Sequence, residues 1–167
     1  LNGNKVCDKH SGLLTLHRQG NVDNGENLVS IISAMNAIAE DMPIYFPVHP
    51  RTAKMIKEYG VELSDRIFNL PPLGYMDSLI FWRDARCVFT DSGGLQIETS
   101  VMGIPCVTLR ENTERPVTIE KGTNVLAGVK PEGILRAYDV ALQKEGQKLS
   151  YDGKTSERIW KILNEQF

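Results

Sequence analysis

The amino-acid sequence predicts an α/β fold, a doubly wound parallel sheet with helices on both faces. Three observations predict it. Short apolar runs alternate with helical segments along the chain. The runs are continuously apolar, as strands covered on both faces are, and not alternating. Polar or turn-forming residues follow the runs, and in such sheets ligands bind outside the carboxyl ends of the strands.

The first strand is expected from Gly12 to Leu16, after a polar, irregular start in which His10 reads as a solvated linker residue. His17 to Asn24 is then a polar loop, and Asn24 is suited to cap the next helix, with Glu26 favouring its dipole. Leu28, Ile31, Ile32, Met35, Ile38 and Ala39 recur at helical spacing. Ile44 to Val48 reads as a strand, Thr52 to Tyr59 as a helix that Gly60 stops, and Ile67 to Leu70 as a strand. Pro71-Pro72-Leu73-Gly74 is a turn before a helix from Tyr75 to Asp84. Strands at Cys87–Thr90 and Pro105–Leu109 enclose a short helix. After the charged loop Arg110 to Pro116 come a helical turn at Val117–Lys121 and a short strand at Thr123–Leu126. Pro131 opens a helix to about Lys144 with Ile134, Leu135, Tyr138 and Leu142 inward. A last amphipathic segment, 155–167, carries Ile159, Trp160, Ile162 and Leu163 and is expected to pack at the edge of the domain.

At 167 residues, 41% hydrophobic and 24% charged, the chain suits one globular domain. The net charge of −2, with no basic block, gives no electrostatic case for nucleic acid. No apolar run is long enough to span a membrane, roughly 18 residues. The three cysteines, Cys7, Cys87 and Cys106, form no CxxC pair and no zinc-spaced cluster, so no metal is expected. Cys87 and Cys106 read as buried free thiols, which fits a reducing cytoplasm. The start, Leu1-Asn2-Gly3-Asn4-Lys5, resembles a cut inside a longer chain, with 1–11 a linker and 12–167 the folded domain.

The most informative stretch is the turn Asp91-Ser92-Gly93-Gly94, between a strand and a helix. Its glycines permit close backbone approach, and the free amides at a helix start form an anion site. Glu98 falls one helical turn beyond Gly94, on the same face. A diphosphate on the turn and ribose hydroxyls on Glu98 is one reading; a glycine-rich helix entry with a surface glutamate is the other. His17, Arg18, His49, the Pro71–Gly74 turn and Arg110 all follow strands and converge on the same rim. Cations, amides and one carboxylate suit a nucleotide diphosphate. There is no GxGxxG after the first strand and no GxxxxGK[ST], which sets dinucleotide and P-loop readings aside. Nor is the turn a GxSxG elbow, and Ser92 as a nucleophile would need His17 or His49 as its base.

With these residues laid out, the chain resembles the non-hydrolysing UDP-N-acetylglucosamine 2-epimerases. The segments carrying the resemblance are Thr15-Leu16-His17-Arg18 with Asn21-Val22-Asp23-Asn24, Pro47-Val48-His49-Pro50, Pro72-Leu73-Gly74-Tyr75-Met76-Asp77, and the long run from Thr90 to Gly128. The resemblance implies one Rossmann-like half, the C-terminal UDP-binding one, of a two-domain GT-B architecture. It implies that Ser92, Gly93 and Gly94 hold the diphosphate and Glu98 the ribose. His17, Arg18 and Arg110 would approach the phosphates or sugar, with His17 the one catalytic residue in this half. The backbone at Leu73 would read the uracil edge, and His49 would meet a second, regulatory UDP-sugar or position substrate. The family reaction removes the C2 proton and eliminates UDP to leave 2-acetamidoglucal, then adds UDP back with protonation on the other face. No cofactor takes part.

The acid and base carboxylates of that reaction would belong to an N-terminal domain, so this half is expected to bind UDP weakly and not to turn over alone. The implied partners are UDP, a UDP-sugar, the N-terminal domain and a second copy in a homodimer. Two positions depart from the family pattern: Gly20 replaces a frequent Glu, which loosens the first loop, and Ser78 replaces a frequent aromatic, leaving Phe81 as its stand-in. Two other readings remain open, the nucleotide half of a GT-B glycosyltransferase and a binding module without catalysis.

Overall fold

The computed structural model describes residues 10–147, 149 and 151–166. Six strands form its sheet: β1 (Gly12–Thr15), β2 (Ile44–Pro47), β3 (Ile67–Leu70), β4 (Cys87–Thr90), β5 (Cys106–Thr108) and β6 (Asn124–Leu126). They lie in the order β3-β2-β1-β4-β5-β6, and every neighbouring pair is parallel. The chain leaves β1 toward β2 and β4 toward β5, so the winding reverses between β1 and β4. At such a reversal the connections diverge and a crevice opens beyond the strand ends.

Eight helices accompany the strands among the described residues: α1 (Gln19–Val22), α2 (Gly25–Ala39), α3 (Pro50–Glu58), α4 (Tyr75–Arg83), α5 (Gly93–Met102), α6 (Pro116–Glu120), α7 (Pro131–Gln143) and α8 (Thr155–Gln166). Alternate strand residues divide the core between two faces, because successive side chains point opposite ways. Leu14, Ile44, Phe46 and Phe89 pack with Ile31 and Met35 of α2 and Ile134 of α7. Leu13 and Val88 pack with Phe81 and Trp82 of α4 and Leu95 of α5. The sheet is therefore covered on both sides, as its apolar runs predict.

Local chemistry sets the helix ends. The Asn24 side chain accepts the Asn27 amide at 3.1 Å, as expected of a cap. Gly103 closes α5 at φ 73°, a left-handed position where a side chain is strained. Proline occupies the first positions of α3, α6 and α7, where its missing N–H costs nothing.

Several expectations need correction. The expected polar loop after β1 contains a helical turn, α1, because the Arg18 carbonyl accepts the amides of Asn21 and Val22. Gly20 lies within α1, and its carbonyl accepts the Asn27 side-chain amide at 2.9 Å. Helix α3 begins at Pro50, two residues earlier than expected, with His49 as its cap. On α7 the buried stripe is Ile134, Ala137, Tyr138 and Ala141, which turns Leu135 to its edge, 37% exposed. The apolar side chains of α8 are 43% to 66% exposed at Ile159, Trp160, Ile162 and Leu163, in place of packing at the edge. Residues 1–9 of the expected linker lie outside the described residues. Its last residue, Ser11, is buried, and its carbonyl accepts the Arg86 amide just ahead of β4, in the middle of the sheet.

Gly133, in the first turn of α7, provides a test of packing against propensity. A Cβ there would sit 2.4 Å from the carbonyl oxygen of Ala127, which is backbone and cannot rotate away. Alanine is ordinarily the better helix residue by about 1 kcal/mol. Here Gly133→Ala is expected to destabilise the fold by roughly 1–3 kcal/mol, the usual penalty of overpacking. Equilibrium urea unfolding reads the sign directly.

Candidate functional site

Asp91 directly follows β4 with its side chain fully buried, and its carboxylate is the hub of the rim. It accepts the backbone amides of His17 (3.0 Å) and Arg18 (2.8 Å) and the side-chain amide of Asn21 (3.3 Å). His17 Nδ1 lies 3.0 Å from its other oxygen. Asn21 also donates to the carbonyl of Leu109 at 2.8 Å, tying the loop after β1 to the end of β5. One buried carboxylate thus holds the loop after β1 to the end of β4, and Asn21 carries the link on to β5. Beside it Thr15 and Thr90, paired across β1 and β4, join hydroxyls at 2.7 Å, and Thr90 Oγ1 accepts the Ser92 amide at 2.9 Å.

The turn that follows is a helix start with its first amides open. Ser92 caps α5, its hydroxyl accepting the Leu95 amide at 3.4 Å, and its carbonyl accepts Gln96. The amides of Gly93 and Gly94 have no acceptor among the described residues. They carry the positive end of the α5 dipole and can receive an anion.

A cleft of about 460 Å3 opens on this turn. His17, Ser92, Gly94 and Glu98 line its polar side; Leu73, Tyr75, Ser78 and Trp82 line the other. Glu98 has no hydrogen-bond partner among the described residues, and its partial burial raises its pKa above the ordinary glutamate value. A carboxylate held in a cleft without donors is suited to accept hydroxyls. At the opposite side Tyr75 meets Trp82 edge-on, ring centroids 5.9 Å apart, and the Trp82 Nε1 is buried without a partner among the described residues. Phe81 is not the aromatic available to the cleft: it is buried edge-on against Tyr45, at 5.3 Å. Trp82, one residue further round the helix, takes that place beside Ser78.

The predicted site residues thus separate into groups. His17, Leu73, Ser92, Gly94 and Glu98 line the cleft, while Gly93, buried at the start of α5, does not. Arg18 and Arg110 line a neighbouring hollow with Asn21 and Glu111. Arg110 is held by Glu114 through two contacts, 2.7 and 2.8 Å, which pull the Glu114 carboxyl down to about 2. His49 stands apart, exposed, its Nδ1 accepting the Arg51 amide at 3.2 Å. Asp91, Asn21 and Trp82 carry no role in the spacing pattern. An aspartate at a strand end before Ser-Gly-Gly was the available signal for the first of them. Cys87 and Cys106 are buried free thiols, and burial pushes Cys106 up to about 12, which leaves it unreactive.

The hydrogen bond to Asp91 raises the His17 pKa above its ordinary 6.5, against an opposing effect of burial. A raised folded value means that this contact stabilises the fold fully below the unfolded pKa of 6.5 and is lost as pH rises through the folded value. Asp91→Asn is expected to lower the His17 titration, followed by the imidazole proton shifts. An unmoved titration would show that the carboxylate does not hold the ring.

Comparison with known proteins bears on the same features. The sequence profile of the UDP-N-acetylglucosamine 2-epimerase family matches residues 2–164. The UDP-N-acetylglucosamine 2-epimerase of Methanocaldococcus jannaschii is 41% identical over 166 residues, covering 95% of this chain and 45% of that protein. The UDP-2,3-diacetamido-2,3-dideoxy-D-glucuronate 2-epimerase of Pseudomonas aeruginosa is 36% identical, covering 90% of this chain and 43% of its own length. A crystal structure of the M. jannaschii enzyme in complex with UDP-GlcNAc and UDP superposes with a TM-score of 0.85 at 40% identity, covering 96% of this chain and 46% of that one. The chain therefore spans about half the length of the relatives it matches. With its sequence matched almost end to end and its fold superposable, the chain belongs to the UDP-N-acetylglucosamine 2-epimerase family.

Proposed function

We propose that this chain is the UDP-binding half of an epimerase interconverting UDP-N-acetylglucosamine and UDP-N-acetylmannosamine. Residues 12–167 are then the C-terminal half of a GT-B type enzyme, and 1–11 lead in from an N-terminal domain. The observation that carries the reading is the polarity of the cleft, with aromatic side chains at one side and open amides beside His17 at the other. A nucleoside diphosphate has the same polarity. Its base lies against Leu73, Tyr75 and Trp82, its ribose hydroxyls on Glu98, and its phosphates on Ser92, Gly93 and Gly94. The family resemblance assigns Arg18 and Arg110 to the phosphates or sugar and His49 to a second UDP-sugar or to positioning the first.

In this reaction UDP departs by elimination as the C2 proton is removed, then adds back after protonation from the other face. The work of this half is to stabilise the diphosphate charge that develops as the bond to the sugar breaks. His17 suits that position, because its raised pKa enriches the protonated form that donates to a phosphate oxygen. The carboxylates that take and return the C2 proton belong to the other half, so the isolated chain binds UDP and does not turn over. A glycosyltransferase half could use the same turn and glutamate. The segment Thr113–Pro116 and the His17–Arg18 loop favour the epimerase. The buried free thiols Cys87 and Cys106 suit a cytoplasmic setting. The family resemblance is also the ground for a homodimer of the full-length protein, which sedimentation velocity tests.

Calorimetric titration of the chain with UDP is expected to give saturable heat, and folded protein without it overturns the nucleotide reading. Glu98→Ala is expected to weaken UDP about 10- to 100-fold, the worth of hydrogen bonds to a charged group, and to leave pyrophosphate unchanged. Equal losses on both ligands remove the ribose role. In a Trp160→Phe variant, UDP is expected to change the remaining emission, that of Trp82, because the base lies against it; silence there puts the base elsewhere. Deuterium incorporation at C2 during turnover of the full-length protein in heavy water separates epimerase from transferase.

A further inference from the structure

The aromatic side of the cleft holds a donor with nothing to donate to. Trp82 lines the cleft and is 6% exposed, and its Nε1 is buried without a hydrogen-bond partner among the described residues. Folded proteins leave few buried polar groups unpaired, and one that persists in the wall of a binding cleft points to a ligand that supplies the partner. An indole N–H only donates, so that partner is an acceptor.

The residues before Trp82 on α4 explain why the indole meets the cleft. Ser78 lies one helical turn earlier on the same face and also lines the cleft. A helical side chain leans back over the turn before it, so the indole extends towards Ser78, whose small side chain leaves room for it. A large side chain at position 78 would take that room itself. Tyr75 stands at the start of the same helix, its ring at 86° to the indole and the residue 63% exposed. A ring so exposed has few packing contacts to lose when it turns.

We propose that Trp82 reads the nucleobase: as the Tyr75 ring turns aside, the indole N–H donates to the carbonyl oxygen at C4 of uracil, which makes Trp82 the residue that selects uracil over cytosine. The inference rests on the nucleotide reading above and adds base selection to it. With the ribose on Glu98 of α5, the carbonyl at C2, beside the glycosidic bond, faces the α5 side of the cleft. The C4 carbonyl is at the far end of the base, towards α4. Cytosine carries an amino group at C4 and would set donor against donor. The Ser78 hydroxyl both donates and accepts, so it tolerates either base and leaves the choice to Trp82.

The test is calorimetry on the 167-residue chain with UDP and CDP, together with the indole proton resonance of Trp82. The wild-type chain is expected to bind UDP about tenfold more tightly than CDP, the upper worth of one hydrogen bond. Trp82→Phe keeps an aromatic ring and removes the N–H. It is expected to weaken UDP about 3- to 10-fold and to leave CDP within about twofold. In Trp160→Phe the indole signal of Trp82 stands alone, because the chain has 2 tryptophans. UDP and UMP, which share the base, should both move that signal downfield, a reading that holds even if Trp82→Phe fails to fold. No preference for UDP, equal losses on UDP and CDP, no loss on UDP, or an indole signal that UDP leaves in place overturns base reading by Trp82 while the nucleotide site stands. Wild-type protein that binds neither nucleotide overturns the nucleotide reading itself.

Discussion

The rim of this domain depends on a single buried carboxylate. A charge without solvent is costly unless donors surround it. Asp91 meets that condition with two backbone amides, a side-chain amide and an imidazole, all from the loop that follows β1. The arrangement has geometric consequences: it sets His17 beside the turn, brings Arg18 over Gly93, and leaves Asn21 to bind the end of β5. The loops of β1, β4 and β5 become one surface because of it.

On that surface the cleft is divided by chemistry. Helix α4 brings Tyr75, Ser78 and Trp82 to one side, and α5 brings open amides and Glu98 to the other. Both helices cover the same face of the sheet, so the two sides share a floor of Leu13 and Leu95. The charged loop after β5 closes the polar end. Glu114 screens Arg110 there, and the Thr113–Gln96 hydrogen bond ties the loop to α5. The polar network of Gln96, Thr108, Thr118 and Asn124 is fully buried, which makes the loop's position a property of the core and not of the surface.

Much of this was legible in the residues. The continuous apolar runs at Cys87–Thr90 and Cys106–Thr108 are explained by burial on both sheet faces. Asn24 and Pro131 acted as their local chemistry requires, because caps are decided within a few residues. The readings that missed depended on distant contacts. Helical periodicity does not say which of two adjacent aromatics on α4 meets Tyr45 and which meets the cleft, and so Phe81 was favoured over Trp82. It does not reveal that Leu135 lies at the edge of the buried stripe of α7. The one-turn helix after β1 has no apolar period, and it forms around Asn21, whose partners lie 70 and 88 residues away.

Chain order alone carries the alternation of strands and helices, the positions of the turns, and the placement of His17, His49, Ser92 and Arg110 after strands. These follow from hydrophobic period and local backbone preference, which act over a turn of helix or a few strand residues. Which of those residues meet is a matter of strand order. With β1 beside β4, His17 reaches Asp91 across 74 positions of sequence. With β2 one strand further out, His49 is left to cap its own helix. The division between Arg110, paired with Glu114, and Arg18, set over Gly93, arises in the same way, since the charge available at a point depends on every group that folding brings there.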